Sequence, residues 1–122
     1  MPDRIDILKH LYDRFNARDI DAVLASLHPD VVWANGMEGG HVHRHEGIRE
    51  YWTRQWSMFD PHVDPIAFSH APDGAVVVEV HQVVHDLEGK PLFDGMVGHI
   101  FRFADSPNGP LVQRFDIREE SA

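Results

Sequence analysis

At 122 residues, 43% hydrophobic and 25% charged, the chain has the size of one soluble domain with a single core, spanning 1–122. Its net charge of −9 is spread along the sequence, which excludes the basic face a nucleic-acid partner requires and disfavours an anionic membrane surface. The absence of cysteine removes disulfides, thiolate nucleophiles and Cys-based zinc, and with no signal-peptide pattern and no run near the ~20 apolar residues of a membrane span, the expected location is cytoplasmic.

Ile5, Leu8, Leu11, Tyr12 and Phe15 recur at helical spacing, and Asp3 before them supplies an N-cap. Asp19 caps a second short helix carrying Ile20, Val23, Leu24 and Leu27. His28-Pro29-Asp30 ends it, because proline disfavours helical geometry in the residue before it. Val31, Val32 and Trp33 read as a short strand. A glycine-rich loop from Gly36 to Gly40 leads into His41, His43 and His45. From Glu46 a third helix aligns Ile48, Tyr51, Trp52, Gln55 and Trp56 on one face, and Pro61 ends it. The rest reads as strands near 63–70, 75–85, 92–103 and 111–118, divided by turns at Asp73-Gly74, Glu88-Gly89 and Asn108-Gly109. This is an α+β order, with about three N-terminal helices gathered on one face of a curved antiparallel sheet. Neither a βαβ rhythm nor a G-x-G-x-x-G or phosphate-loop pattern is present.

Turn arithmetic sorts the side chains. With Glu88-Gly89 central in a tight hairpin, facing residue numbers sum to 177, so Val78 faces His99, Val80 faces Val97, Val76 faces Phe101 and Gln82 faces Gly95. One face then holds Val76, Val78, Val80, Val97, Phe101 and Phe103, interrupted only by Gln82 and His99, and the apolar set must be buried together. His99 is either a core histidine satisfied by a carbonyl or a polar group aimed into an apolar cavity, where burial shifts its pKa. The last strand divides in two: Leu111, Phe115 and Ile117 share one parity, Val112, Arg114, Asp116 and Arg118 the other. Hydrophobicity turns Arg114 and Asp116 to solvent; an Asn108-Gly109 turn, pairing numbers that sum to 217, puts them on the His99 face.

The stretch FNARDIDAVLASLHPDVVW, the segment HEGIREYW and a strand-rich half ending GHIFRF…LVQRFDI resemble the SnoaL-like branch of the nuclear-transport-factor-2-like superfamily, which includes ketosteroid isomerases and polyketide cyclases. The resemblance covers almost the whole chain and implies a cone-shaped α+β roll, also described as cystatin-like, closing a pocket for a small organic molecule. Carried over without gaps from Asn16-Ala17, the isomerase carboxylate base falls on Asn35, whose amide accepts no proton at neutral pH, and the protonated acid of the oxyanion hole falls on His99. The helix-one tyrosine falls on Leu11, with Tyr12 beside it and expected to turn away. The polyketide cyclase pattern resembles this chain more closely, implying Asn35, His99 and Asp116 as catalytic residues: Asp116 as acid/base, His99 as polariser or relay, Asn35 orienting a carbonyl. Arg114 would hold Asp116 ionised or bind an anionic group. Trp33, Trp52, Trp56, Val78, Gln82 and Phe101 are the remaining candidate substrate contacts, although aromatic residues at helical spacing also suit plain core.

His41, His43 and His45 offer a rival reading as a metal site, but a clear third or fourth ligand at known spacing is missing, and a polar loop at the pocket mouth is preferred. No metal and no cofactor is expected. Two functions remain open: a cofactor-free isomerase, cyclase or dehydratase acting by proton transfer on a small carbonyl compound, and a non-catalytic ligand-binding or assembly module. The expected partners are a small-molecule ligand and a second copy of the chain, because Leu92, Met96, Ile100 and Phe115 are candidates for an uncovered apolar sheet face.

Overall fold

Two aspartates set the first helices. In the computed structural model, which describes residues 3–36 and 38–119, the Asp3 side chain accepts from Ile5 N at 2.9 Å and opens α1 (Arg4–Asn16). Asp19 accepts from Ala22 N at 3.2 Å and opens α2 (Ile20–Leu24). The second helix is shorter than its apolar spacing predicts: Leu27 already belongs to β1 (Leu27–Ala34), which runs through Pro29 with an irregular register. After β2 (His41–His43) comes α3 (Arg44–Trp56), and then four long strands: β3 (Phe59–His70), β4 (Val76–Asp86), β5 (Pro91–Ala104) and β6 (Leu111–Glu119). Pro61, expected to end α3, instead lies inside β3. That strand is the sheet's edge, where a missing N–H breaks no ladder bond.

The sheet order is β2-β1-β6-β5-β4-β3, antiparallel throughout except for β1 and β6, which are parallel neighbours. This departs from the wholly antiparallel sheet expected. No local pattern announces it, because it joins the first long strand to the last. The concave face packs Val76, Val78, Val80, Phe101, Phe115 and Trp33 against Leu8, Leu11, Tyr12 and Phe15 of α1 and Ile48, Tyr51 and Trp52 of α3. Asn16 fastens the end of α1 to the edge strand, donating to Val63 O at 2.8 Å and accepting from Val63 N at 3.0 Å, as a neighbouring strand would.

The predicted pairings of β4 and β5 hold from Val76↔Phe101 to Gln82↔Gly95. The turn differs. Asp86 N donates to Lys90 O around a three-residue connection, with Gly89 at φ 90°. The register shift beyond Val84 then restores the sum of 177.

In β6 the turn arithmetic fails. His99 faces Ile117, Phe101 faces Phe115, and Ile100 faces Asp116, with a shift in register between Arg102 and Phe103. That shift makes Gln113 an extra residue, so Val112 and Phe115 both point inward although their parities differ. Arg114 and Asp116 therefore lie on the sheet face opposite His99. Burial of Val112 and the Phe115 ring decides the register, since a one-residue slip would turn Phe115 out.

Candidate functional site

A cavity of about 1240 Å³ lies between the concave face of the sheet, α1 and α3. Its depth is aromatic. Trp33 and Phe115 stack with ring centroids 4.1 Å apart, and Trp52 meets Trp33 edge-on at 5.3 Å. Among these rings Tyr12 Oη lies 2.7 Å from His99 Nδ1. Both residues are buried, His99 at 6% exposure and Tyr12 at 3%, and both line the cavity.

Burial alone sets their charge state. It pushes the His99 imidazole down to about 3 and raises the Tyr12 phenol well above its usual value, so both are neutral near pH 7. A neutral phenol donating into Nδ1 leaves no buried O–H without an acceptor, and it puts the imidazole proton on Nε2. That nitrogen makes no hydrogen bond among the described residues. A net hydrogen bond is worth about 0.5–1.5 kcal/mol, but stripping its partner from a buried group costs about 1–3, so the two side chains hold each other in place. Tyr12 thus does not turn away. Positions 11 and 12 lie about 100° apart on a helix, and an apolar stripe of that width takes in both.

The mouth is polar. Asn35 Oδ1 accepts from Glu38 N at 2.9 Å, and Glu38 is paired with Arg54. Gly36 N donates to the Tyr51 hydroxyl at 3.1 Å. His41 Nε2 lies 2.9 Å from Asp116 Oδ1, while Arg114 Nε donates to Asp116 Oδ2 at 2.7 Å. Burial would raise the Asp116 carboxyl, but the hydrogen bonds from Arg114 and His41 together outweigh it and hold the group below its usual value. Asp116 reaches the cavity at its rim, where His41 also lines it, rather than beside His99.

Of the residues singled out from the sequence, His99, Asn35, Asp116, Trp33, Trp52, Gln82 and Phe101 line the cavity. Three do not. Val78 is wholly buried in the core. Trp56 packs on Phe15 and Trp52 with Arg18 over its ring. Arg114 sits on the outer face, where Gln113 as the extra residue puts it.

The three loop histidines separate. His41 goes to Asp116, His45 Nε2 lies 2.9 Å from Leu27 O, and His43 is the exposed residue before α3. Among the described residues no group of three or more His, Asp or Glu is placed to hold a metal ion, and no helix is long and apolar enough to cross a membrane.

Comparison with known proteins gives the architecture a lineage. Residues 8–107 match the sequence model of the SnoaL-like domain. None of the curated proteins compared with the chain matches it. Among solved structures the chain is similar to a nuclear-transport-factor-2-like protein of unknown function from Burkholderia pseudomallei (24% identity, 98% of this chain and 92% of that one, TM-score 0.81). It is similar also to TerC, co-crystallised with polyporic acid (26%, 95% and 90%, 0.79), and to a candidate polyketide cyclase from Sinorhizobium meliloti (20%, 97% and 95%, 0.72). The chain belongs to the SnoaL-like domain family.

Proposed function

We propose that this SnoaL-like chain is a cytoplasmic, cofactor-free enzyme that moves a proton on a small carbonyl compound, in an isomerisation, aldol-type cyclisation or dehydration. The observation that carries the reading is the neutral Tyr12–His99 pair, buried among aromatic rings and presenting Nε2 to the cavity. A buried donor fixed in advance stabilises negative charge on a carbonyl oxygen better than water does, because it needs no reorganisation. His99 Nε2–H donates to the substrate oxygen while the proton on the adjacent carbon leaves toward the mouth.

There His41, held by Asp116, takes that proton and returns it to another carbon in an isomerisation, to the alkoxide formed when the enolate carbon attacks a second carbonyl of the same substrate, or to a β-hydroxyl that leaves as water in a dehydration. Asp116 therefore orients His41 instead of acting as the base itself, and the Asn35 amide positions the substrate at the rim. The presence of polyporic acid in TerC supports a carbonyl-bearing aromatic ligand. A binding-only reading draws on one observation, the amide of Asn35 at the position where the isomerase pattern has a carboxylate. A homodimer through the outer face of β5 completes the proposal.

Exchange of the α-protons of 2-tetralone in deuterium oxide, followed by NMR, separates the two readings. The enzyme reading expects exchange well above buffer, falling about 100-fold in His99→Gln and less in Tyr12→Phe. Binding of 2-tetralone with no acceleration of exchange would leave only the binding-only reading.

A further inference from the structure

The concave face of β4 is a ladder of valines, Val76, Val78, Val80 and Val84, with one polar break at Gln82. Gln82 is half-buried, lines the cavity and makes no hydrogen bond through its amide among the described residues. A valine would serve as well for packing. A polar group turned to an apolar wall without a partner costs free energy that only water or a ligand returns. Gln82 faces Gly95 on β5 and Val63 on β3. At Gly95 an added Cβ would lie 3.2 Å from the Phe93 ring, so the glycine lets that ring lie close against the backbone beside the Gln82 amide.

Gln82 and His99 are the two polar interruptions on the concave face of this hairpin. Because His99 faces Val78 and Gln82 faces Gly95, four residues separate them along the strand, roughly 13 Å at about 3.3 Å per residue. Strand side chains stand roughly perpendicular to the sheet, so the two polar ends keep about that spacing, and a hydrogen bond of about 2.9 Å at each end leaves ~7 Å between the polar atoms of a ligand held by both. That is about the span of two fused six-membered rings with a substituent at each end, a flat body matching the aromatic walls.

Resting on the carbonyl reading above, we infer that Gln82 is a specificity-determining residue, a second polar anchor that selects bicyclic carbonyl compounds with a hydroxyl or carbonyl at the end remote from His99. It touches the far end of the substrate and takes no part in the proton transfer.

Two ketones differing in that one group test the inference: 6-acetyl-2-naphthol and 2-acetylnaphthalene, titrated by their own fluorescence. The wild type should bind the naphthol two- to tenfold more tightly. Gln82→Leu, with Gln82→Met as a second apolar variant, should abolish the difference while keeping or raising affinity for 2-acetylnaphthalene. Equal affinities in the wild type, or a naphthol preference that survives both variants, would overturn it. If His99→Gln changes neither affinity while Gln82→Leu removes the preference, the carbonyl reading falls and the Gln82 anchor stands. Failure of both ketones to bind the wild type overturns both.

Discussion

An imidazole in hydrocarbon is a stability statement as well as a chemical one. In the unfolded chain histidine binds a proton below about pH 6.5, whereas folded His99 binds one only below about 3. Between those values the unfolded state holds more protons, so the contribution is complete above the unfolded value and shrinks as pH falls toward the folded one. The gradient is about 1.4 kcal/mol per pH unit. Urea unfolding at pH 7 and pH 5 should therefore show the wild type losing about 2 kcal/mol more than His99→Gln. Equal losses would mean that the ring is solvated. His99 was legible in the sequence because hairpin arithmetic placed it on a valine face. Tyr12 was not, because an ungapped transfer from the isomerases put the tyrosine position on Leu11, one residue short.

At the scale of elements, what local chemistry dictates is what the sequence revealed. Asp3 and Asp19 cap helices as their side chains suggest, and the glycines at 74, 89 and 109 adopt the positive φ their turns need. The β4–β5 register survives a misjudged turn because a longer loop and a bulge offset one another. The β6 register does not, because the extra residue at Gln113 has no local marker and only the burial of Val112 and Phe115 reveals it. The parallel β1–β6 pair and the short β2 were equally hidden, since both depend on where a distant strand lies.

Phe115, expected on the uncovered apolar face, turns inward onto Trp33. Met96 and Leu92 remain large and exposed on β5, with Ile100 half-buried beside them. For the proposed homodimer, sedimentation equilibrium should report twice the 14.0 kDa chain mass, and Met96→Glu should return the monomer with its near-UV spectrum intact. Wild type sedimenting at the single-chain mass would remove the dimer.

Taken whole, the molecule carries nine net negative charges on a cone whose deep interior holds a neutral donor pair. The acidic groups near the opening, Glu38 and Asp116, are each held by an arginine. The cone's closure by α1 and α3 is what keeps the imidazole at position 99 out of water. Ring-labelled ¹⁵N histidine spectra follow that imidazole directly. The account predicts a neutral His99 ring with its proton on Nε2, unchanged from pH 7 to about pH 4.5 and displaced when 2-tetralone is added. A ring that titrates near pH 6.5 would contradict it.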